Sequence, residues 1–171
     1  MGIVGTVPTG GTAMPDRYVA KTIDARQIDQ AFPVVQSCVP GLDIARWRRF
    51  AAELVGSGAA ARRRGGIVTA QLGRGYIHGL FCYMVVPSLC HGRVLQVENF
   101  VALDMFDPAA TADRLMAAME ELARELGCGA IHVMMRDRRQ GGRLQVLERF
   151  QETGHETEGL HLCKPLRGAA E

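Results

Sequence analysis

The residues best equipped to take a proton from a nucleophile are Glu98 with its neighbour Asn99, His78 and His132. A carboxylate or an imidazole whose pKa lies near neutral can do this directly or through one water. A second kind of chemistry is set up just after Glu98. Leu103, Asp104 and Met105 lead into a turn, Met105 to Ala112, and then an apolar periodic run begins near Thr111. The start of a helix gathers unpaired N–H groups and the positive end of the macrodipole, which attract an anion such as phosphate. The backbone of Ala110, Thr111 and Ala112, with the Thr111 hydroxyl, would face such an anion. The same stretch also starts a helix without any ligand, since Asp107 suits an N-cap and Pro108 the first helical position.

Other residue patterns are poorer in chemistry. Five cysteines form no C-x-x-C pair and their odd number rules out a fully paired disulfide framework within one chain, which fits a reducing cytosol. His161-x-Cys163 and Cys90-His91 have no complementary pair at zinc-finger spacing, so no metal site is expected. Arg62-Arg63-Arg64 reads as a solvated loop that could at most meet a phosphate or an acidic partner. Rossmann and P-loop signatures are absent. A formal net charge of +2 is too small for an electrostatic footprint on nucleic acid or an anionic membrane. No 18-residue apolar span and no signal-peptide pattern occur, so a cytoplasmic protein is expected.

These groups need elements to hold them. With 171 residues, 47% hydrophobic and 22% charged, the composition is that of one globular domain. Residues 1–17, rich in Gly, Thr and Pro, read as a flexible leader before a single domain over 18–171. Tyr18 to Ile23 reads as a strand. Asp24 is placed as the cap of a helix carrying Ile28 and Phe32 that breaks or restarts at Pro33. Asp43 caps a second helix, with Ile44, Trp47, Ala51 and Leu54 inward and an end near Gly56 to Gly58. Strands follow over Ile67 to Leu72, Tyr76 to Val86 and Arg93 to Asp104, the first two joined by Gly73-Arg74-Gly75. Leu115, Met119, Leu122 and Leu126 mark a helix from Thr111 that Gly127 stops. Ala130 to Met135 is a short strand, Gly141 to Thr153 a helix with Leu144, Leu147 and Phe150 inward, and Leu160 to Pro165 a closing strand.

This order, over Tyr18 to Leu166, resembles the GNAT superfamily of N-acetyltransferases. The resemblance is carried by Gly75-Tyr76-Ile77-His78-Gly79-Leu80-Phe81, by Val94 to Leu103 feeding the helix at Leu115-Met116, by Ala130 to Met135, and by Arg149 to His155. It implies an α/β fold with a central mixed, mostly antiparallel sheet and helices on both faces. It also implies acetyl-CoA or another acyl-CoA as co-substrate, bound between splayed strands with its pyrophosphate at the helix start. The family's pyrophosphate pattern, Gln or Arg followed by x-x-Gly-x-Gly/Ala, falls on Asp107 to Ala112, so Asp107 replaces the polar or basic residue and Ala110 the first glycine. The tyrosine that often protonates the leaving thiolate is matched here by Phe150, which has no proton to give.

Two functions follow from the resemblance. One is a CoA-dependent N-acyltransferase. In it the backbone of Leu103, Asp104 and Met105 polarises the thioester carbonyl, Ala110, Thr111 and Ala112 hold the pyrophosphate, and Glu98 or His78 takes the proton of a small-molecule or protein amine. The other is a catalytically inactive relative of the fold, a binding or regulatory protein that forms a homodimer.

Overall fold

The computed structural model describes residues 18–56, 58–73, 75–103, 108–135, 143–159 and 161–164. The chain divides into two compact units, Met1–Asp137 and Arg138–Glu171.

The first unit is built on a five-stranded sheet in the order β1-β2-β3-β4-β5, with β1 Tyr18–Thr22, β2 Gly65–Leu72, β3 Ile77–Ser88, β4 Gly92–Ala102 and β5 Ala130–Met134. Neighbouring strands pair antiparallel except β4 and β5, which run parallel. A parallel pair needs a crossover, supplied here by an 18-residue helix between β4 and β5. The expected mixed, mostly antiparallel sheet is therefore observed.

Side chains of β3 alternate between two covered faces. Leu80 and Cys82 join a buried cluster with Ala31, Val34, Val35, Trp47 and Ala51, which belong to α1 (Ile28–Cys38) and α2 (Ile44–Leu54). Gly79 faces the other way, toward Leu115 of the long helix. The Trp47 indole N–H donates to the carbonyl of Ile28 at 2.7 Å and ties α2 to α1. A short helix, α3 (Ala59–Arg62), precedes β2, and the long crossover helix is α4 (Pro108–Glu125). Leu115, Met119 and Leu122 on α4, and Leu126 in the turn that follows it, are all buried, as their spacing requires. Gly127, at φ +66°, closes α4: its N–H bonds the Arg124 carbonyl and that of Cys128 the Ala123 carbonyl.

Several boundaries differ from the sequence reading. Asp24 does not cap α1; its carboxylate accepts from the amides of Arg26 and Gln27 in a turn, and Gln27 is the N-cap. Pro33 lies inside α1 without breaking it. One backbone bond is lost there, and burial of Ala31, Val34 and Val35 offsets it. Asp43 caps α2 as expected, its carboxylate accepting from the Arg46 amide at 2.8 Å, but Ile44 is exposed and Leu54 only half-buried. Arg62 is not in a loop: it ends α3, meets Glu125 at 3.0 Å, and its carbonyl accepts from the Tyr83 hydroxyl. The α4 helix begins at Pro108, three residues before Thr111.

In the second unit, α5 (Arg143–Glu152) ends at Gly154, with the amides of Gly154 and His155 bonding the carbonyls of Gln151 and Phe150. The Phe150 ring meets that of His155 at 4.9 Å between centroids. Leu147 is exposed rather than inward. Residues 161–164 form no strand, and Leu162 is 89% exposed, so the expected closing strand is not found among the described residues. Leu160 and Pro165 lie outside them.

Candidate active site

The strand β4 carries the site because it changes partners halfway along. From Val94 to Glu98 it is held on both sides, by β3 and, through the pairs Val94↔Ala130 to Glu98↔Met134, by β5. After Glu98 the pairing with β5 stops, while pairing with β3 continues to Ala102. Asn99, immediately beyond, has φ +53°. The register with β3 slips at the same point: Cys82 lies opposite Glu98 and Leu80 opposite Val101, so Asn99 and Phe100 together face Phe81. The two strands thus part at a bulge, and an opening begins between β4 and β5.

The bulge decides which backbone groups face that opening. The Leu103 amide donates to the His78 carbonyl at 2.7 Å and is therefore engaged with β3. Successive residues of an antiparallel strand direct their N–H and C=O to opposite sides, so those of Ala102 point away from β3, to the side β5 has left. Asp104 and Met105 lie outside the described residues.

The first turn of α4 is pressed onto the same end of the sheet. A Cβ on Gly79 would lie 2.6 Å from the Val101 carbonyl oxygen and 2.9 Å from side-chain carbons of both Leu115 and Thr111. Only glycine permits that approach. Thr111 is fully buried and its hydroxyl has no hydrogen-bond partner among the described residues, an unusual state for a buried polar group. Ala112 is also buried, and its amide, the fifth of the helix, falls to the carbonyl of Pro108. Ala110 is half-buried at the helix start.

Glu98 is half-buried, and one of its carboxylate oxygens accepts from the Gln96 side-chain amide at 3.1 Å. It lies opposite Cys82 and so belongs to the face that carries α1 and α2. Burial pushes the Cys82 thiol up to about 12, so it remains a neutral packing group at physiological pH. His78 is four residues from Cys82 along β3, roughly 13 Å. Its ring lies edge-on to Tyr18, with centroids 5.8 Å apart. The structure does not bring Glu98 and His78 together. His132 lies opposite Gln96 on β5, and its ring meets that of His91 at 5.6 Å.

Sequence reasoning did not single out the backbone of Asn99 or Ala102, or the close approach at Gly79. The signals were nevertheless present. Asparagine is among the few residues that tolerate a left-handed conformation, and glycine inside an apolar strand marks a bulge or a close approach.

No family model matches the chain, and no curated protein matches it in sequence. Solved structures do match in fold. The aminoglycoside N-acetyltransferase AAC(6')-Iy in complex with CoA superposes with a TM-score of 0.68 at 13% identity, over 88% of this chain and 95% of that one. A GNAT family acetyltransferase from Staphylococcus aureus gives 0.67 at 13% identity, over 88% and 99%. Glucosamine-6-phosphate N-acetyltransferase from Arabidopsis thaliana gives 0.66 at 12% identity, over 86% and 97%. The chain therefore has the fold of the GNAT acetyltransferases. Among the described residues no helix is long and apolar enough to cross a membrane.

Proposed function

We propose that this protein is a CoA-dependent N-acyltransferase, transferring an acetyl or related acyl group from its CoA thioester to an amine. The observation that carries this reading is the parting of β4 from β5 after Glu98, with the start of α4 packed against the same end of β4. An opening between two strands admits an extended thioester arm. The backbone of Ala102 can then act at the thioester carbonyl, because its N–H points to the open side whereas the Leu103 amide is already engaged. The positive end of α4 favours the pyrophosphate, with Ala109 and Thr111 contributing first-turn amides. The partnerless Thr111 hydroxyl is a donor in reserve at that position. Glu98, fixed by Gln96, takes the proton of the attacking amine directly or through water. The nitrogen lone pair attacks the thioester carbon, the C–S bond breaks, and CoA leaves as the thiol once its sulfur is protonated. CoA in the AAC(6')-Iy structure supports the choice of co-substrate. With this reading go a small-molecule or protein amine as acceptor, a cytoplasmic setting and a homodimer, the last tested by light scattering.

Titration with acetyl-CoA is the test. At about a hundred times its dissociation constant, bound ligand stabilises the fold by about 2.7 kcal/mol. Absence of both binding heat and thermal shift would defeat the proposal. It would favour the second reading, an acyl-CoA-free binding protein, for which Pro108, lacking an N–H at the start of α4, is the supporting observation. In the enzyme, Glu98→Gln should lower kcat by roughly a hundredfold or more while leaving acetyl-CoA binding intact. An equal loss of binding would deny Glu98 the role of base.

A further inference from the structure

We propose that His91 and His132 form a divalent transition-metal site, in which one ring nitrogen of each binds zinc, nickel or cobalt and water fills the remaining positions. The site lies before the point where β4 and β5 part and does not rest on the acyltransferase reading.

The sequence sets His91 beside Cys90, in the turn between β3 and β4, and puts His132 in the middle of β5. The fold pairs the two histidines instead. Their rings meet edge to face, with centroids 5.6 Å apart and planes at 84°, and one ring nitrogen of each lies within 4.8 Å of the other. Edge-to-face contact at such a separation is by itself ordinary packing. The nitrogen spacing is what points to an ion. Zn–N bonds of about 2.0–2.1 Å hold two tetrahedral ligand atoms about 3.4 Å apart, so the pair has at most about 1.4 Å to close. Rotation about the second side-chain torsion of histidine, which has broad minima, supplies a movement of that size.

The backbone that carries both rings is already fixed. The His91 amide donates to the Ser88 hydroxyl at 3.2 Å, and the His91 carbonyl accepts from the Arg93 amide at 2.8 Å. The Gly129 amide donates to the Arg93 carbonyl at 2.7 Å, which fastens the entry to β5 onto the same turn. A Cβ on Gly129 would lie 2.5 Å from the His91 carbonyl oxygen, so only glycine lets the two segments approach. His132 follows three residues later, in register with Gln96 of β4. Ligands held on rigid elements lose little freedom when an ion binds. Imidazole selects zinc, nickel, cobalt or copper, whereas magnesium and calcium take oxygen ligands.

Zinc chloride titrated into the full chain, with the thiols kept reduced, tests the site. About one equivalent should bind and raise Tm, and magnesium chloride should do neither. His91→Gln and His132→Gln should each weaken zinc roughly tenfold or more, whereas Cys90→Ser and His161→Gln should leave its affinity as it is. Cobalt gives a readout in the unaltered protein, which decides the matter if either histidine variant fails to fold. The bound paramagnetic ion should displace the ring-proton resonances of His91 and His132 but not those of His78, and no thiolate-to-cobalt charge-transfer band should appear. Unchanged zinc affinity in either histidine variant, a loss in Cys90→Ser or His161→Gln instead, or a thiolate band with cobalt would overturn the proposal. Acetyl-CoA enters none of these measurements, so failure to bind it would count against the acyltransferase reading alone.

Discussion

The two halves of β4 are one strand built to opposite ends. Val94 to Glu98 has a neighbour on each side and buries Val94, Leu95 and Val97 almost completely, so it behaves as the middle of a sheet. Asn99 to Ala102 has lost β5, contains the bulge, and is covered by the first turn of α4. Stability is concentrated in the first half, whereas the groups that can meet a ligand lie in the second or at the boundary. The contrast shows that a single inserted residue can convert part of a core strand into a binding edge without disturbing the rest.

Substitutions separate the halves. The largest effect is expected for Gly79→Val, whose side chain would run into the Val101 carbonyl oxygen and push α4 from the sheet; we expect a loss of about 3 kcal/mol or more, with acetyl-CoA affinity falling too. Calorimetric melting and titration of the same sample check both. Leu95→Ala, in the paired half, should cost about 3 kcal/mol in denaturant unfolding. Its folded fraction should bind acetyl-CoA as the wild type does, and a matching loss of affinity would mean the halves are not separable. Thr111→Val should raise Tm by roughly 2–4 °C, because it removes a buried hydroxyl that has no partner. It should weaken acetyl-CoA, and a variant both more stable and equally tight would take the hydroxyl out of the site. The smallest effect is expected outside both halves. Arg48 holds the Asp29 carboxyl below its ordinary range through an exposed ion pair. Its contribution is present above the ordinary carboxylate pKa and lost as pH falls through the lowered one. Asp29→Asn should therefore leave melting nearly unchanged at neutral pH, and any difference should vanish in high salt.

The sheet and α4 were legible because periodicity reports burial directly. The apolar run Ile77 to Val86 and the spacing Leu115, Met119, Leu122, Leu126 each admit one reading, and Gly127 marks an end that only glycine closes easily. Pro33 misled because local propensity was set against tertiary burial, and burial won. At Leu147 and over 161–164 a few apolar residues suggested inward packing that did not follow. Glu98 was identifiable by type, but its face was not, because a bulge shifts the register and no periodicity announces it. The bulge that sets Asn99 and Phe100 against Phe81 depends on a long-range register.

Trp47 has a further use. It is the chain's only tryptophan, 1% exposed, stacked on Phe50 with centroids 6.0 Å apart and bonded to the Ile28 carbonyl. Its emission should be blue-shifted in the native protein and should move to the red when α1 and α2 detach from the sheet. Intrinsic fluorescence therefore offers an optical gauge of one face of the molecule alone, undiluted by any signal from α4.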